Sequence, residues 1–344
     1  MGTRENKIML ATVVAGHAMK HLLNSAFFIL LPELKTGMAL SNAGVGTLAT
    51  FRSIAGGLAN LPAGFIADWL QHRWHVILAL SVGMVGVFYL VLGLAQGFPL
   101  VVVAGALSSV AITFYHPPAV SALSRRFAER RGLAISFHGT GGSIGEALGP
   151  VIAGGLLAFL SWRIIFQMSA LPAILFGLSI WMLLRGIPDK QRENNSFKSY
   201  LRAYTAALRR LLRNKRIVGV LLVVAGFSAT QAAVMTFLPI YLREDIGYTT
   251  LRTGFYLSAA QVVGIFSQPL MGFLSDRRGR KSVLLPGILT LGITALSLYV
   301  VPPGIPLLIA VVIMGAVLFP LMSVQSSLVI RTITRFSRTL PVLL

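Results

Sequence analysis

The sequence has no cysteine and few acidic residues, with 10 Asp and Glu against 30 Lys and Arg among 344 residues. The absence of cysteine excludes thiol chemistry, disulfides and cysteine-ligated metal sites. Charged residues make up only 12% of the chain, whereas a soluble domain has roughly 25%. Hydrophobic residues reach 55% and the mean hydropathy is +0.78. This composition indicates an all-α polytopic membrane protein.

The net charge of +20 raises the question of nucleic-acid binding. The basic residues do not form one patch or tail, however, but recur in short clusters between apolar runs. Such clusters are typical of the positive-inside rule for membrane proteins. We therefore expect a lipid bilayer, and no nucleic acid, as the partner of this charge.

Apolar runs of the length that spans a bilayer, ~20 residues, recur along the chain. They predict about ten transmembrane helices, at 8–32, 43–66, 75–94, 98–119, 133–157, 162–184, 217–241, 253–275, 282–301 and 304–329. Twenty-four of the Lys and Arg residues fall at the N-terminus or in the loops after even-numbered helices. This bias places the N-terminus in the cytoplasm, and the first run, which lacks a cleavage motif, is expected to be retained in the inner membrane.

Two parts of the chain repeat each other. GFIADWLQHR (64–73) matches GFLSDRRGRK (272–281), and Leu31-Pro32 matches Leu238-Pro239, at offsets of 208 and 207 residues. Duplicated halves with a site at their interface are typical of secondary transporters. We predict a six-helix bundle at 1–184, a basic cytoplasmic linker at 185–216 and a second bundle at 217–344. The counterparts of helices 5 and 6 are missing, so the second half is expected to be incomplete, through truncation, a frameshift or a ten-helix form.

The linker contains the sequence SYLRAYTAALRRLLRNKR (199–216), which predicts an amphipathic basic helix. Its basic residues would suit anionic lipid headgroups at the cytoplasmic surface. A role in binding a partner protein is the alternative.

The helix plan, the basic linker and the loop motif G-x-x-x-D-R-x-G-R-[RK] resemble the major facilitator superfamily. The second-half motif is complete, with Gly272, Asp276, Arg277, Gly279, Arg280 and Lys281. The first-half copy keeps Gly64, Asp68 and Arg73 but has Trp69, Gln71 and His72 at positions usually held by Arg, Gly and Arg. The His17/His21 pair, FYHPPAVS (114–121) and FHGTGGSIGEALGP (137–150) are similar to the fosmidomycin-resistance branch.

The resemblance implies that the loop motifs act as a conformational latch. A carboxylate at Asp68 or Asp276 would accept hydrogen bonds from a neighbouring helix N-terminus, where the helix dipole favours negative charge. The following arginines would support this contact in one state and release it in the other. The alternative is a simple charge anchor at the cytoplasmic surface.

The fifth predicted helix is rich in glycine. Gly141, Gly145 and Gly149 recur every fourth residue and form a stripe that lets another backbone approach closely. Pro150 removes a backbone donor and bends the helix. The segment GPVIAGG departs by one residue from the GPxxGG pattern of drug antiporters. We predict a packing and hinge surface between moving bundles, with static packing as the alternative.

Ionisable side chains are concentrated in four predicted helices. Helix 1 carries His17, Lys20, His21 and Asn24 at i, i+3, i+4 and i+7, so these residues share one face. Helices 3, 6 and 9, taken as 75–94, 164–184 and 282–301, contain no charged residue, and the resemblance implies that they face lipid. The polar residues therefore predict an aqueous cavity inside the first half, although a single histidine or lysine could have a structural role.

The other members of this polar group lie on helices 2, 4 and 5. They are Arg52, His116, His138 and Glu146. Glu146 is the only carboxylate predicted in the membrane interior, where acids usually mark ion or substrate paths. His138 lies on the same broad face of its helix. We therefore predict that all eight residues line the path of protons and substrate, with Glu146 as the proton carrier.

These features predict a transporter that works by alternating access, as the resemblance implies. Its predicted cavity is cationic and would suit an anionic, phosphonate-like solute. Proton-coupled efflux is the main hypothesis. A proton symporter that imports an organic acid or sugar and a non-transporting truncated protein are the alternatives. We expect a monomer without a cofactor.

An enzyme is not expected, since the sequence has no nucleophile–base constellation, no glycine-rich phosphate loop and no HExxH motif. His17 and His21 have the spacing of metal ligands, but the sequence does not place a third ligand. We therefore predict no metal site.

Overall fold

The computed structural model describes residues 3–187 and 197–338, which form helices and turns with no β-strand among them. The helices are α1 (Arg4–Gly37), α2 (Asn42–Trp69), α3 (Trp74–Leu94), α4 (Phe98–Thr113), α5 (His116–Arg126), α6 (Arg131–Leu156), α7 (Trp162–Leu184), α8 (Phe197–Leu212), α9 (Lys215–Glu244), α10 (Thr250–Arg278), α11 (Lys281–Ser297) and α12 (Ile305–Arg338). Part of the predicted linker, 188–196, lies outside the described residues.

Three helices begin at a hydroxyl residue that caps the first turn. The side-chain oxygens of Thr3, Ser41 and Ser161 accept hydrogen bonds from backbone N–H groups three residues later, at 3.3, 3.1 and 3.3 Å. These bonds satisfy donors that have no partner within the helix. The sequence thus defines where α1, α2 and α7 begin.

The predicted all-helical fold is confirmed, and each of the ten predicted segments is largely helical. Seven helical stretches among the described residues are long and apolar enough to cross a membrane, fewer than the ten predicted. The difference lies in α2 and α6, whose glycines and polar residues lower their hydropathy, and in α11, which has 17 residues. Within the predicted linker, Phe197–Leu212 forms α8, which has no buried side chain, and Lys215 and Arg216 begin α9.

The predicted helix at 98–119 is divided into α4 and α5. Two prolines, Pro117 and Pro118, occupy the first turn of α5, where their missing N–H groups cost nothing. Neither proline has an N–H group to donate to a carbonyl four residues earlier, so the regular hydrogen bonding of α4 ends and the chain turns at Phe114 and Tyr115. This break places His116 at the start of α5.

The chain forms two compact units. One contains Met1–Asn194 with Met235–Ser258, and the other contains Asn195–Val234 with Ala259–Leu344. The ends of α9 and α10 that flank the connecting turn therefore belong with the first six predicted spans. This division differs from the boundary expected from the repeat, which assigns all of 217–344 to the second bundle.

In the first unit, α1 packs along α6 and α3 packs along α7. The hydrophobic core of this unit contains Trp74, Tyr115, Val13 and Ile180, each at most 1% exposed. In the second unit, small residues allow close helix packing. A Cβ on Gly315 would overlap the backbone of Ala260.

Candidate functional site

The predicted polar face of α1 is buried in the first unit. His17 is 4% exposed and Lys20 is 1% exposed. A charged group without water needs partners, because the cost of desolvation is several kcal/mol for an unpaired ion. The partners come from α2, α5 and α6. These helices correspond to the predicted segments 43–66, 98–119 and 133–157, which are expected to line the cavity.

His17 and His138 form the innermost contact between α1 and α6. The Nδ1 of His17 donates to the backbone carbonyl of His138 at 2.6 Å. The two rings also stack, with centroids 3.7 Å apart. This geometry fixes the position of the His17 ring and directs its Nε2 toward His21, 3.0 Å away.

Glu146 contacts the other nitrogen of the His21 ring, on the side away from His17. The Oε1 of Glu146 lies 2.7 Å from the Nδ1 of His21, and the two side chains are 24% and 16% exposed. They are thus more accessible than Lys20 on the neighbouring position of α1. The pair links the acid of α6 to the histidines of α1.

Lys20 points to the break between α4 and α5. Its Nζ donates to the Nε2 of His116 at 2.6 Å. His17 also contacts the His116 ring edge-on, with centroids 4.8 Å apart. The α4–α5 break therefore brings a ring nitrogen to a lysine that has almost no contact with solvent.

Arg52 forms a second polar group, about one helical turn further along α1. Its Nη2 donates to the Oδ1 of Asn24 at 2.6 Å, and its guanidinium lies over the ring of Phe27, 3.7 Å from the centroid. The other terminal nitrogen, Nη1, is buried without a hydrogen-bond partner in the described part of the chain. The hydroxyl of Tyr89 is a further neighbour of the Arg52 guanidinium.

The eight polar residues predicted for the path therefore fall into two groups. Six form one connected cluster, called here the histidine cluster: His17, Lys20, His21, His116, His138 and Glu146. Arg52 and Asn24 form the second group. Their role in transport remains a prediction.

Two tyrosines that sequence reasoning missed support these groups. The hydroxyl of Tyr115 donates to the carbonyl of Val13 at 2.8 Å, and that of Tyr89 donates to the carbonyl of Leu23 at 2.9 Å. Both tyrosines are at most 1% exposed and hold the polar face of α1 in place. A tyrosine inside an apolar helix needs a partner for its hydroxyl, which was the available sequence signal.

The glycine stripe of α6 packs against α1. A Cβ on Gly141 would overlap the carbonyl of Val14, and one on Gly145 would overlap the carbonyl of Ala18. Gly149 approaches the backbone of α1 in the same way, and Pro150 lies buried inside α6. The predicted surface also reaches the second half, because a Cβ on Gly254 of α10 would overlap the carbonyl of Pro150. The three glycines thus pack on α1 of the same bundle, and the role of the segment as a hinge between moving bundles remains a prediction.

The second-half loop motif folds back on itself. The Nη2 of Arg280 lies 2.9 Å from the Oδ1 of Asp276, one turn earlier. Gly279 has a positive φ of 92°, which glycine adopts without strain, so the chain can turn sharply after α10. Arg277 lies over the ring of Phe273 at 5.0 Å, and Lys281 begins α11.

The first-half copy of the motif ends α2. Gly64 and Asp68 lie in its last turns and Arg73 follows in a short 3-10 turn. The side chains of Asp68 and Arg73 are exposed. The latch function of either copy remains a prediction.

Ion pairs at the other end of α1 were not predicted. The Nη2 of Arg243 lies 2.6 Å from the Oε1 of Glu33, and Lys35 pairs with Glu244. Arg243 also donates to the carbonyl of Tyr248 at 2.5 Å. These contacts hold the end of α9 to the end of α1 within the first unit.

Comparison with known proteins gives the same family as the sequence motifs. The family model of the Major Facilitator Superfamily matches residues 13–339. The Fosmidomycin resistance protein of Escherichia coli is 22% identical over 289 residues, which are 82% of this chain and 68% of that protein. The Probable 4-methylmuconolactone transporter of Cupriavidus pinatubonensis is 26% identical, covering 83% of this chain and 66% of that protein. The chain thus spans about two thirds of the length of these relatives.

A solved structure supports the fold. The bacterial homologue of the human lysosomal transporter Spinster, in an inward-facing and unoccupied conformation, matches with a TM-score of 0.76 and 18% identity over 95% of this chain and 75% of that chain. The predicted resemblance is therefore confirmed by sequence and by fold. The chain belongs to the Major Facilitator Superfamily, a family of multi-pass membrane transporters.

Proposed function

We propose that this transporter exports a small anionic compound from the cell in exchange for protons, across the inner membrane and with its N-terminus in the cytoplasm. The observation that carries the proposal is the set of buried ionisable residues inside an otherwise apolar bundle. Burying such groups in a membrane is costly, and they usually mark the path of an ion or substrate. The similarity to the Fosmidomycin resistance protein favours a phosphonate-like solute.

Positive charge in the first half favours an anionic solute. Lys20 and Arg52 are both buried, and the Nη1 of Arg52 has no hydrogen-bond partner among the residues that the structure describes, so it is available as a donor. A guanidinium binds a carboxylate or phosphonate through paired N–H donors, which provides both charge and geometry. We therefore assign Arg52 as the anchor of the anionic group, with Lys20 as a second positive charge.

Glu146 is the proposed proton carrier. It is the only acidic residue of the histidine cluster, and its contact with His21 provides a neighbour that can accept or release a proton. The asparagine and tyrosines nearby do not ionise in the same pH range. Proton coupling through Glu146 and solute binding through Arg52 then occur on the same helix bundle.

The test is efflux of labelled fosmidomycin from cells that express the chain. We expect lower accumulation than in control cells, and loss of this difference when a protonophore collapses the proton gradient. Glu146→Gln should abolish gradient-driven efflux, while Glu129→Gln, in an exposed turn, should retain it. Full pH-gradient-driven efflux by Glu146→Gln would show that Glu146 is not the carrier.

Import by proton symport is the second candidate, since the Probable 4-methylmuconolactone transporter is as similar to this chain as the Fosmidomycin resistance protein is, and its name specifies neither direction nor export. The same cluster would serve either direction, since coupling depends on the order of binding events. Proteoliposomes with an inward-acid and then an outward-acid gradient distinguish the two. Antiport drives solute and protons in opposite directions, and symport drives them in the same direction.

A further inference from the structure

Three histidines of the cluster lie close enough to share one cation. One ring nitrogen from each of His17, His21 and His116 lies within 4.8 Å of the other two. The Nε2 atoms of His17 and His21 are 3.0 Å apart. A tetrahedral zinc ion with Zn–N bonds of about 2.0–2.1 Å sets its ligand nitrogens about 3.3 Å apart. This pair already has nearly that separation, and His116 is within reach of a small ring movement.

His17 and His21 each contact another group through Nδ1, and this leaves a lone pair on the Nε2 of each ring. His17 uses its Nδ1 proton to donate to the carbonyl of His138. The carboxylate of Glu146 beside the Nδ1 of His21 holds the proton of that ring on Nδ1. Two lone pairs then face each other at 3.0 Å, which is repulsive unless a cation lies between them. Ligand histidines in metal sites are oriented by carboxylate and carbonyl partners of this kind.

We propose that His17, His21 and His116 form a binding site for a divalent transition-metal ion of the zinc class. Imidazole nitrogen suits zinc, nickel and copper rather than magnesium or calcium, which prefer oxygen. Glu146 and the His138 carbonyl orient the ligands, and a fourth position is left for a water molecule or a solute group. The sequence did not place a third ligand, and His116 provides it because the α4–α5 break directs α5 toward α1.

A second observation at the same place supports a ligand. The ring of His138 is 3% exposed, yet neither of its nitrogens has a hydrogen-bond partner among the described residues. A buried polar group without a partner is unusual in a folded protein and needs an explanation. A bound ion with its water molecule would supply one, because water held by the ion reaches groups around the ligand set.

Lys20 competes with the ion. Its ammonium group occupies the Nε2 lone pair of His116 at 2.6 Å, and it repels a divalent cation. Ligation through this nitrogen therefore displaces Lys20 from His116, and the cluster holds either the lysine contact or the metal. The metal site does not depend on the proposed transport function, but a bound ion would affect it through Lys20 and Glu146, which belong to the histidine cluster.

Metal binding to the purified full chain, prepared without a histidine tag, tests the site. We expect saturable binding of Co2+ with the visible absorption of a four-coordinate ion, displacement by Zn2+, and a higher unfolding temperature with Zn2+. Glu146→Gln should weaken binding about 10- to 100-fold, the usual loss when an outer partner of a ligand is removed. His21→Gln and His116→Gln should weaken it further, while His75→Ala, outside the cluster, should leave it unchanged.

The variant Lys20→Met separates this proposal from a purely structural histidine cluster. Removal of the ammonium should strengthen Zn2+ binding about tenfold or more, since a charge-assisted hydrogen bond to His116 no longer competes. Weaker or unchanged binding in Lys20→Met would overturn the proposed competition. The site itself is overturned if neither the wild type nor Lys20→Met binds Zn2+, which would leave a shared proton between His17 and His21. It is equally overturned if both histidine variants bind as the wild type does.

Discussion

The two halves of the chain share a helix plan but differ in the polar groups that they bury. The first half buries His17, Lys20, Arg52 and His138. In the second half, the buried polar side chains that the structure describes are all uncharged: Thr236, Thr253, Gln261, Ser275, Thr294 and Gln325. Among the described residues, buried histidine, lysine and arginine side chains therefore occur in the first half alone.

The repeat offset makes this difference explicit. The offset of 207 pairs Lys20 with Phe227 and His21 with Ser228, and the offset of 208 pairs Arg52 with Ala260. Phe227 and Ala260 are 7% and 5% exposed, so apolar packing has replaced charge at buried positions. We infer that binding of protons and of the anionic group belongs to the first half, while the second half provides a neutral surface.

The largest expected effect comes from making the second half resemble the first. Phe227→Lys buries a cation in the half whose buried polar side chains, as far as the structure describes them, are all uncharged, and an unpaired buried charge costs about 3–5 kcal/mol. We expect a large drop in thermal stability or loss of folded protein in detergent. Phe227→Leu is the control and should lose far less. A stable, well-folded Phe227→Lys protein would show that the second half tolerates charge as well.

The next effect comes from making the first half resemble the second. Arg52→Ala should raise the KM for an anionic solute about 10- to 100-fold, since a charge-assisted hydrogen bond contributes roughly 1.5–3 kcal/mol. The KM for a neutral solute should change little. Transport assays with matched anionic and neutral compounds measure this difference. Equal changes for both compounds would contradict a cationic solute site.

Packing distinguishes the halves less strongly than charge. Gly145→Ala places a methyl group against the backbone of α1, whereas a Cβ on Gly226 in α9 meets no atom within 4 Å. Overpacking of this kind costs about 1–3 kcal/mol. Thermal unfolding in detergent should therefore show a lower midpoint for Gly145→Ala than for Gly226→Ala. Similar midpoints would mean that α1 and α6 separate easily.

The smallest effect is expected from a buried hydroxyl. Tyr115→Phe removes the hydrogen bond to the Val13 carbonyl, which is worth about 1 kcal/mol. Tyr299 is 94% exposed, so Tyr299→Phe should leave the stability unchanged. A thermal shift measured on both variants checks the difference. No shift for Tyr115→Phe would show that this bond does not hold α1 in place.

Residue patterns predicted the helices and the composition of the site, because both depend on local spacing. The polar face of α1 follows from the positions of His17, Lys20, His21 and Asn24, and the structure brings these residues together with Arg52, His116 and Glu146. The prolines after His116 could have predicted the division of α4 from α5, but the apolar run across them favoured one helix.

Contacts between distant segments could not be predicted in the same way. Glu33 and Arg243 are 210 residues apart, and periodicity within a helix does not specify which turn faces which. The same holds for the glycine stripe, where the spacing predicted a close approach but not that α1 is the helix that approaches. His116 as a third nitrogen near His17 and His21 also depends on this relative register of helices.

The two ion pairs between the ends of α1 and α9 determine how these two ends align. On α1 the acid Glu33 precedes the base Lys35, whereas on α9 the base Arg243 precedes the acid Glu244. A slip of either helix along the other would set acid beside acid or base beside base. The four charges therefore favour a single register of the two helix ends, because any other register loses both attractions and brings like charges together.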